Sequence, residues 1–431
     1  MGKRVIVKPY DISWKQAFED IKSELDEALG DLALRIEHVG STSVEGLSAK
    51  PIIDIDVVIE NESKLGQVIE AFGRIGYHHE GNLGIPGREA FKYEGKEHLM
   101  KHHLYVCAED AAELKRHISF RDYLRSHPEA VVEYSRIKEE GARLYPEDMD
   151  KYIEYKSPLI EKLYKKIELE SALENMKKYN AGVMFNECFG FEPDVEYDAL
   201  VVAPGWKPTK IIRDPAYKVT VLAEHSYFSG YLVEKDGMKI AWAQTASGAC
   251  NVLDHIIICA DMKFKNFIFV GAVGGITENY KIGDFCTPEV CISGTYSNHY
   301  LDFKLPEFKP FEKIYPNKEY TDRMIDLAKE SGYQLRTAKV FNTDSIALEY
   351  SHLDEIKATG AELIEMETGI FYTLAEAFDV PSIALLAVSD NSATGVPLLG
   401  RGEELAQKYI YTRSVVIPDM IFKIAGSVKS E

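Results

Sequence analysis

Asp54 and Asp56 stand two apart in the apolar run IIDIDVVI at residues 52–59. Residues two apart on a strand face the same side, so both carboxylates project together while Ile53, Ile55 and Val57 pack behind them. Such a pair suits Mg²⁺, and the preceding Gly40-Ser41 turn offers amides and a hydroxyl for a phosphate whose charge the metal would neutralise. The competing reading is an edge strand with solvated aspartates. A third carboxylate is not evident; His102-His103 occupies the later strand where one would be sought. His78, His79, His98, His102 and His103 are read as packing or polar-satisfaction residues and not as zinc ligands. Cys286 and Cys291 could form a redox pair, although buried free thiols are the ordinary outcome.

A second group of residues lies in the later half of the chain. Asp390 directly follows the apolar run at residues 383–388, where a carboxylate either caps the next helix or projects into a pocket. Glu365, Met366 and Glu367 open a stretch in which Met366, Ile370, Leu374 and Phe378 recur every four residues, the spacing of an amphipathic helix. The two acids are either first-turn residues favoured by the helix dipole or ligands for a polar group. Gly205 lies in a Pro-Gly turn after the run at 200–203, and Gly271 opens the turn GAVGG after 267–270. Ligands of open α/β sheets sit beyond the carboxyl ends of strands, so these segments could build one pocket.

The elements that must position these groups fall into two sets. Residues 1–168 begin with a helix-like stretch at 13–29, pass through the 52–59 strand and end in a charged helical stretch. Residues 169–180 read as a helical linker, and residues 181–431 alternate short β-branched or aromatic runs with helical stretches, implying a mostly parallel sheet flanked by helices. With 431 residues, two domains can each bury a sizeable core. A net charge of −19 repels nucleic acid and anionic membranes, which leaves small molecules as the expected partners. The six cysteines show no CxxC spacing, no apolar leader opens the chain, and no run is long enough to span a bilayer, so a cytoplasmic location is expected.

The turn FVGAVGGI, the stretch GAELIEMETGIFYTLAEAF and the later LLAVSDN agree in order and spacing with the nucleoside phosphorylase family, which includes purine nucleoside and uridine phosphorylases. The resemblance runs from about residue 198 to the C-terminus. It implies an α/β domain with a mixed central sheet flanked by helices, which cleaves or forms a bond between a nucleobase and a pentose without a cofactor. In its terms Asp390 is the general acid to the base, Glu367 binds the ribose hydroxyls, Met366 packs under the sugar, and Glu365, Gly205 and Gly271 help to form the binding site. The arginine that pairs with the aspartate would be Arg413, with Arg401 as the rival. Phosphate is the expected acceptor and a homo-oligomer the expected assembly. The chain departs from the pattern at Phe269 and Ala272, where phosphorolytic members carry an arginine and a hydroxyl residue. It also departs at Ile346, where an aromatic usually stacks on the base. Hydrolysis is the alternative, although PGWKPT lacks the acid that nucleosidases use there.

HVGSTSVEGLSAKPIIDI, KHHLYVC and FRDYLRSHPEAVVEYSRIK resemble the GrpB family, a nucleotidyltransferase-like group, over nearly all of residues 4–168. This implies a nucleotidyltransferase-like α/β fold, with Gly40 and Ser41 at the ligand and Asp54 and Asp56 at Mg²⁺. A further alternative makes this domain the enzyme and the later one a nucleoside sensor.

Overall fold

The computed structural model describes residues 4–179, 188–302, 305 and 310–427, so Asn180, at the expected end of the linker, and the first three residues of the N-terminal stretch lie outside it. The chain divides into two compact units, Met1–Glu168 and Leu169–Glu431.

The first unit contains α1 (Ser13–Leu29), β1 (Arg35–Val39), β2 (Ile53–Ile59), α2 (Leu65–Arg74), β3 (Tyr77–Gly81), β4 (Arg88–Tyr93), β5 (His102–Ala108), α3 (Ala112–Ser126), α4 (Pro128–Leu144) and the beginning of α5 (Met149–Tyr179). Its sheet has the order β1-β2-β5-β4-β3, with β2 and β5 parallel and the other ladders antiparallel. Trp14, Phe18, Ile21, Leu25 and Leu29 recur at helical spacing on α1, and all are buried in one core with Ile53, Ile55 and Val57 of β2. Each such side chain contributes about 1.5–3 kcal/mol by leaving water. A second core lies where Leu159, Leu163 and Ile167 of α5 meet Tyr123 and Leu124 of α3 and Val131 and Tyr134 of α4.

The second unit continues with β6 (Glu196–Tyr197), β7 (Ala199–Pro204), α6 (Pro208–Ile211), β8 (Lys218–Glu224), β9 (Ser229–Lys235), β10 (Met238–Thr245), α7 (Ala249–Ile256), β11 (Lys263–Phe264), β12 (Phe267–Gly275) and β13 (Phe285–Ser293). There follow β14 (Glu312–Ile314), α8 (Lys318–Glu330), β15 (Leu335–Asn342), α9 (Leu353–Ala358), β16 (Leu363–Glu365), α10 (Thr368–Ala377), β17 (Ser382–Asn391), α11 (Glu403–Tyr411) and α12 (Ile417–Ser427). The sheet is mixed. β7, β10, β12 and β17 form parallel ladders, as do β13, β15 and β16, but β8, β9 and β10 are antiparallel and β17 also pairs antiparallel with β13. This corrects the mostly parallel sheet that alternation implies: Asp236-Gly237, both at positive φ, form a two-residue hairpin turn between β9 and β10, so the β8–β10 meander is antiparallel. Strands β12, β16, β15, β13 and β17 pair successively, and β17 returns to β12, so the ladders close on themselves. Leu169 and Leu173, in the expected linker, are buried in this unit's core.

Candidate functional site

The carboxyl ends of β12, β16 and β17 and the loops around them enclose a cavity of about 180 Å³. β12 contributes Phe269 and residues 271–274, β17 contributes Ser389 and Asp390, and β16 leads through Glu365 to Met366 and Glu367. Trp206, Ser247, Thr343, Ile346, Glu349 and Leu398 enter from loops and helical turns.

Asp390 reaches the cavity through a β-bulge. The β12–β17 register runs from Phe267↔Ser382 to Val273↔Val388, after which Gly274 faces Asp390, so Ser389 is the extra residue. A bulge re-aims the side chains that follow it. A Cβ on Gly274 would stand 3.1 Å from Asp390 Oδ2 and 3.3 Å from Ile364, so the glycine leaves this carboxylate its space. The helix-capping role belongs to the next residue, Asn391, whose side chain accepts from the Ala393 and Thr394 amides at 2.9 and 3.2 Å. Burial pushes the Asp390 carboxyl up from the usual range, against a hydrogen bond from Ser389 and the charge of Arg401.

Arg401 is the arginine whose charge reaches Asp390. Arg401 donates to the Ser389 carbonyl and stands 4.6 Å from the Tyr409 ring centroid. Arg413 lies in the π-helical turn Thr412–Val416, 5.4 Å from the same ring, with its Nε buried and without a partner. The physical reason is the loop after β17, which folds back to place Leu398 in the cavity wall and brings Arg401 with it.

Glu365 and Glu367 take different parts. Glu365 ends β16 and accepts from the Glu367 amide at 2.8 Å, the Thr368 amide at 3.0 Å, the Thr368 hydroxyl at 2.7 Å and the Asn342 amide group. Those bonds commit its oxygens to shaping the entry into α10, although the residue also lines the cavity. Neither acid lies in the first turn of the helix, since α10 begins at Thr368. Glu367 accepts from the Gly248 amide at 2.6 Å, and burial followed by the charge of Glu365 lifts its carboxyl to about 8.

The phosphate-site departures persist in three dimensions. Phe269 and Ala272 both line the cavity, and no lysine or arginine does so among the described residues. Gly271 is in the wall, but Gly205 is not, and its amide donates to the Thr245 carbonyl at 2.8 Å. Lys207 is paired with Glu224 at 2.9 Å, while Thr209 and Lys210 are exposed. The Pro-Gly turn therefore offers no ready anion site.

Among the lining residues that escaped the sequence reading, two stand out. Trp206 supplies, with Phe269, aromatic surface that Ile346 does not. Glu349 lies three residues after Ile346, a spacing that shares one face of a helical turn and could have drawn notice. It is buried, and burial followed by the charge of Asp390 lifts its carboxyl to about 7. Because the folded state holds this proton above the ordinary carboxyl range, the unfolded chain ionises first and stability falls as pH rises from about 4.5 towards 7. Glu349→Gln removes that penalty. Its melting temperature is expected to match wild type at pH 5 and to exceed it at pH 8 by roughly 2–8 °C, from about 1–3 kcal/mol. Equal melting temperatures at pH 8, read by differential scanning calorimetry, would show that Glu349 ionises freely.

In the first unit, Asp54 and Asp56 sit on β2 with Ile53, Ile55 and Val57 buried. Gly40, at φ +67°, lies against the Asp54 side chain so closely that a Cβ would collide with it. Asp54 Oδ1 bonds to His103 Nδ1 at 2.8 Å, and the fully buried Asp56 bonds through Oδ2 to His117 Nδ1 at 2.7 Å. Burial alone would depress His117, but its bonds to Asp56 and Glu113 outweigh it and lift the imidazole to about 9. Asp56 thus already faces a protein cation, and no group of three metal-ligating side chains occurs among the described residues. Each carboxylate thus has a histidine on one oxygen, while Asp56 Oδ1 is buried with no hydrogen-bond partner. His102 bonds to the Tyr77 hydroxyl and the Met100 carbonyl, both at 2.8 Å, a polar-satisfaction role. Cys286 and Cys291 are buried free thiols, so they form no redox pair.

The model of the GrpB protein family matches residues 4–166, and that of the phosphorylase superfamily matches residues 199–408. Glutamate-rich protein GrpB of Alkalihalophilus pseudofirmus is 35% identical over 162 residues, covering 37% of this chain and 93% of that protein. UPF0157 protein YqkA of Bacillus subtilis is 31% identical over 180 residues, covering 42% of this chain; the match spans about half (49%) of that relative's length. A DeoD-type purine nucleoside phosphorylase of Geobacillus stearothermophilus is 25% identical over 167 residues, covering 38% of this chain and 69% of that protein. No described helix is long and apolar enough to cross a membrane.

Proposed function

Because the chain belongs to the GrpB family through residues 4–166 and carries a phosphorylase-superfamily domain at residues 199–408, we propose that its second unit cleaves the N-glycosidic bond of a nucleoside or a related N-glycoside. The observation that supports this reading is that Asp390, Met366 and Glu367 line one cavity.

As the bond breaks, positive charge develops on the pentose and negative charge on the departing base. Asp390, whose carboxyl burial favours the protonated form, delivers a proton to the base. Glu349 lies within range of its charge, so the two acids enter the reaction as a coupled pair that holds a proton at neutral pH. Glu367 accepts hydrogen bonds from vicinal hydroxyls, and its charge favours the oxocarbenium character of the sugar. Two hydroxyl donors favour the ionised form of Glu367, so substrate binding releases the proton that the empty pocket retains. Met366 supplies the apolar floor beneath the sugar, and Trp206 and Phe269 supply aromatic surface.

Water is the acceptor that this cavity favours over phosphate. A phosphate dianion among buried carboxylates, with Phe269 and Ala272 in place of a cation and a hydroxyl, would lack compensation. The full chain, incubated with a panel of purine and pyrimidine ribonucleosides, is expected to release free base and free pentose at similar rates with and without phosphate. Strict phosphate dependence with pentose 1-phosphate as product would overturn the acceptor. Absence of base release under both conditions would overturn glycosidic cleavage itself.

A further inference from the structure

The wall of the nucleoside cavity carries an acid, Glu349, that cleavage by a single proton donor does not by itself require. Glu349 opens the helical turn Glu349–His352, and its amide donates to the Ser345 carbonyl at 3.1 Å. The segment before it is pinned. The Thr343 amide donates to the Glu365 carbonyl at 2.8 Å, the Ser345 amide to the Thr343 hydroxyl at 3.2 Å and the Leu348 amide to the Ser345 hydroxyl at 3.2 Å. These bonds tie the turn to the end of β16, so the Glu349 carboxyl has a fixed place in the same wall as Asp390, within reach of its charge.

Glu349 is only 9% exposed, and among the described residues nothing donates a hydrogen bond to its carboxyl. Its surroundings in the wall are apolar at Ile346 and Leu398, and Arg401 spends its donors on the Ser389 and Leu398 carbonyls. A buried carboxyl without a partner is costly unless a ligand brings the missing donor. Two neighbouring carboxyls that share one proton present one donor and one acceptor. Asp390, as the acid to the departing base, is the donor, which leaves Glu349 as the acceptor.

The purine atom protonated on departure, N7, is flanked by the substituent at position 6. With a 6-amino group this edge reads acceptor then donor, whereas with a 6-oxo group both positions are acceptors. The first order complements Asp390 and Glu349 position by position; the second sets an oxygen against a carboxylate. We propose that Glu349 accepts a hydrogen bond from the 6-amino group of a purine and so makes the cavity select 6-aminopurine nucleosides over their 6-oxo counterparts. The inference rests on nucleoside cleavage in this cavity and adds which edge of the base is read. The amino group favours the ionised form of Glu349 and thereby leaves the shared proton on Asp390, where cleavage uses it.

The test compares adenosine with inosine, which differ in the group at position 6, as substrates of the full chain, and adenine with hypoxanthine as ligands in calorimetric titration. Wild type is expected to favour adenosine in kcat/KM and adenine in affinity by about tenfold or more. Glu349→Gln, whose amide donates as readily as it accepts, should bring both ratios to within about threefold of unity. Glu349→Leu, which can do neither, should also lose the preference, and if one of the two variants fails to fold the other decides. Preferential binding of adenine without base release from any nucleoside would refute cleavage while upholding the reading of the base edge. Equal or inverted ratios in wild type, or a preference for adenine that survives in a folded variant, would overturn the role of Glu349.

Discussion

Asp390→Asn is expected to lower kcat for base release by about 10²- to 10⁴-fold while leaving the affinity for an uncleaved nucleoside analogue within a few-fold. The substitution preserves shape and hydrogen-bonding capacity at the bulge but removes the transferable proton. An interaction made chiefly in the transition state affects turnover far more than ground-state binding. The pH profile gives an independent reading. Wild-type turnover should fall as pH rises and the pair of half-buried Asp390 and buried Glu349 loses its proton, whereas the residual rate of the Asn variant should lose that dependence. Steady-state rates of base release over pH 5–9, together with the dissociation constant of the analogue, check both outcomes. Unchanged kcat in a folded Asn variant would remove Asp390 from the chemistry.

Glu367→Ala should lower kcat/KM for ribonucleosides by about 10²- to 10⁴-fold. Two hydrogen bonds from sugar hydroxyls to a buried carboxylate contribute about 1.5–3 kcal/mol each, and the lost charge also weakens stabilisation of the oxocarbenium-like sugar. The sharper outcome concerns selectivity. A 2′,3′-dideoxynucleoside never makes the two bonds, so its kcat/KM should fall much less, and the preference for ribose should largely disappear. Competition between ribo and dideoxy substrates in wild type and variant measures this ratio. A ribose preference that survives in Glu367→Ala would mean that the hydroxyls are held elsewhere. The Gly248 amide would lose its partner in the same variant, so circular dichroism must show that the fold is intact.

Much of this site could be read along the sequence because its parts are local. The apolar runs of β12 and β17 mark buried strands, and the polar residues at their ends mark where a pocket can form. Legibility failed where position depends on the path of a loop. Periodicity cannot show whether the segment after Asp390 returns to the site, so it does not reveal that the charge of Arg401 reaches Asp390. Glu349 and Trp206 fall in short irregular segments with no repeating pattern to aim them. Asp54 and Asp56 were correctly paired on one strand, but their histidine partners come from β5 and α3, long-range contacts that spacing does not encode.

Helix α5 sets a practical limit on dissecting this protein. Leu159, Leu163 and Ile167 serve the interior of the first unit, whereas Leu169 and Leu173, on the next turns of the same helix, serve that of the second. A fragment started at residue 181 would discard two interior leucines and expose the apolar surface they cover, inviting aggregation. Truncations meant to yield separate halves should therefore divide this helix, keeping it through Glu168 in one fragment and beginning before Leu169 in the other.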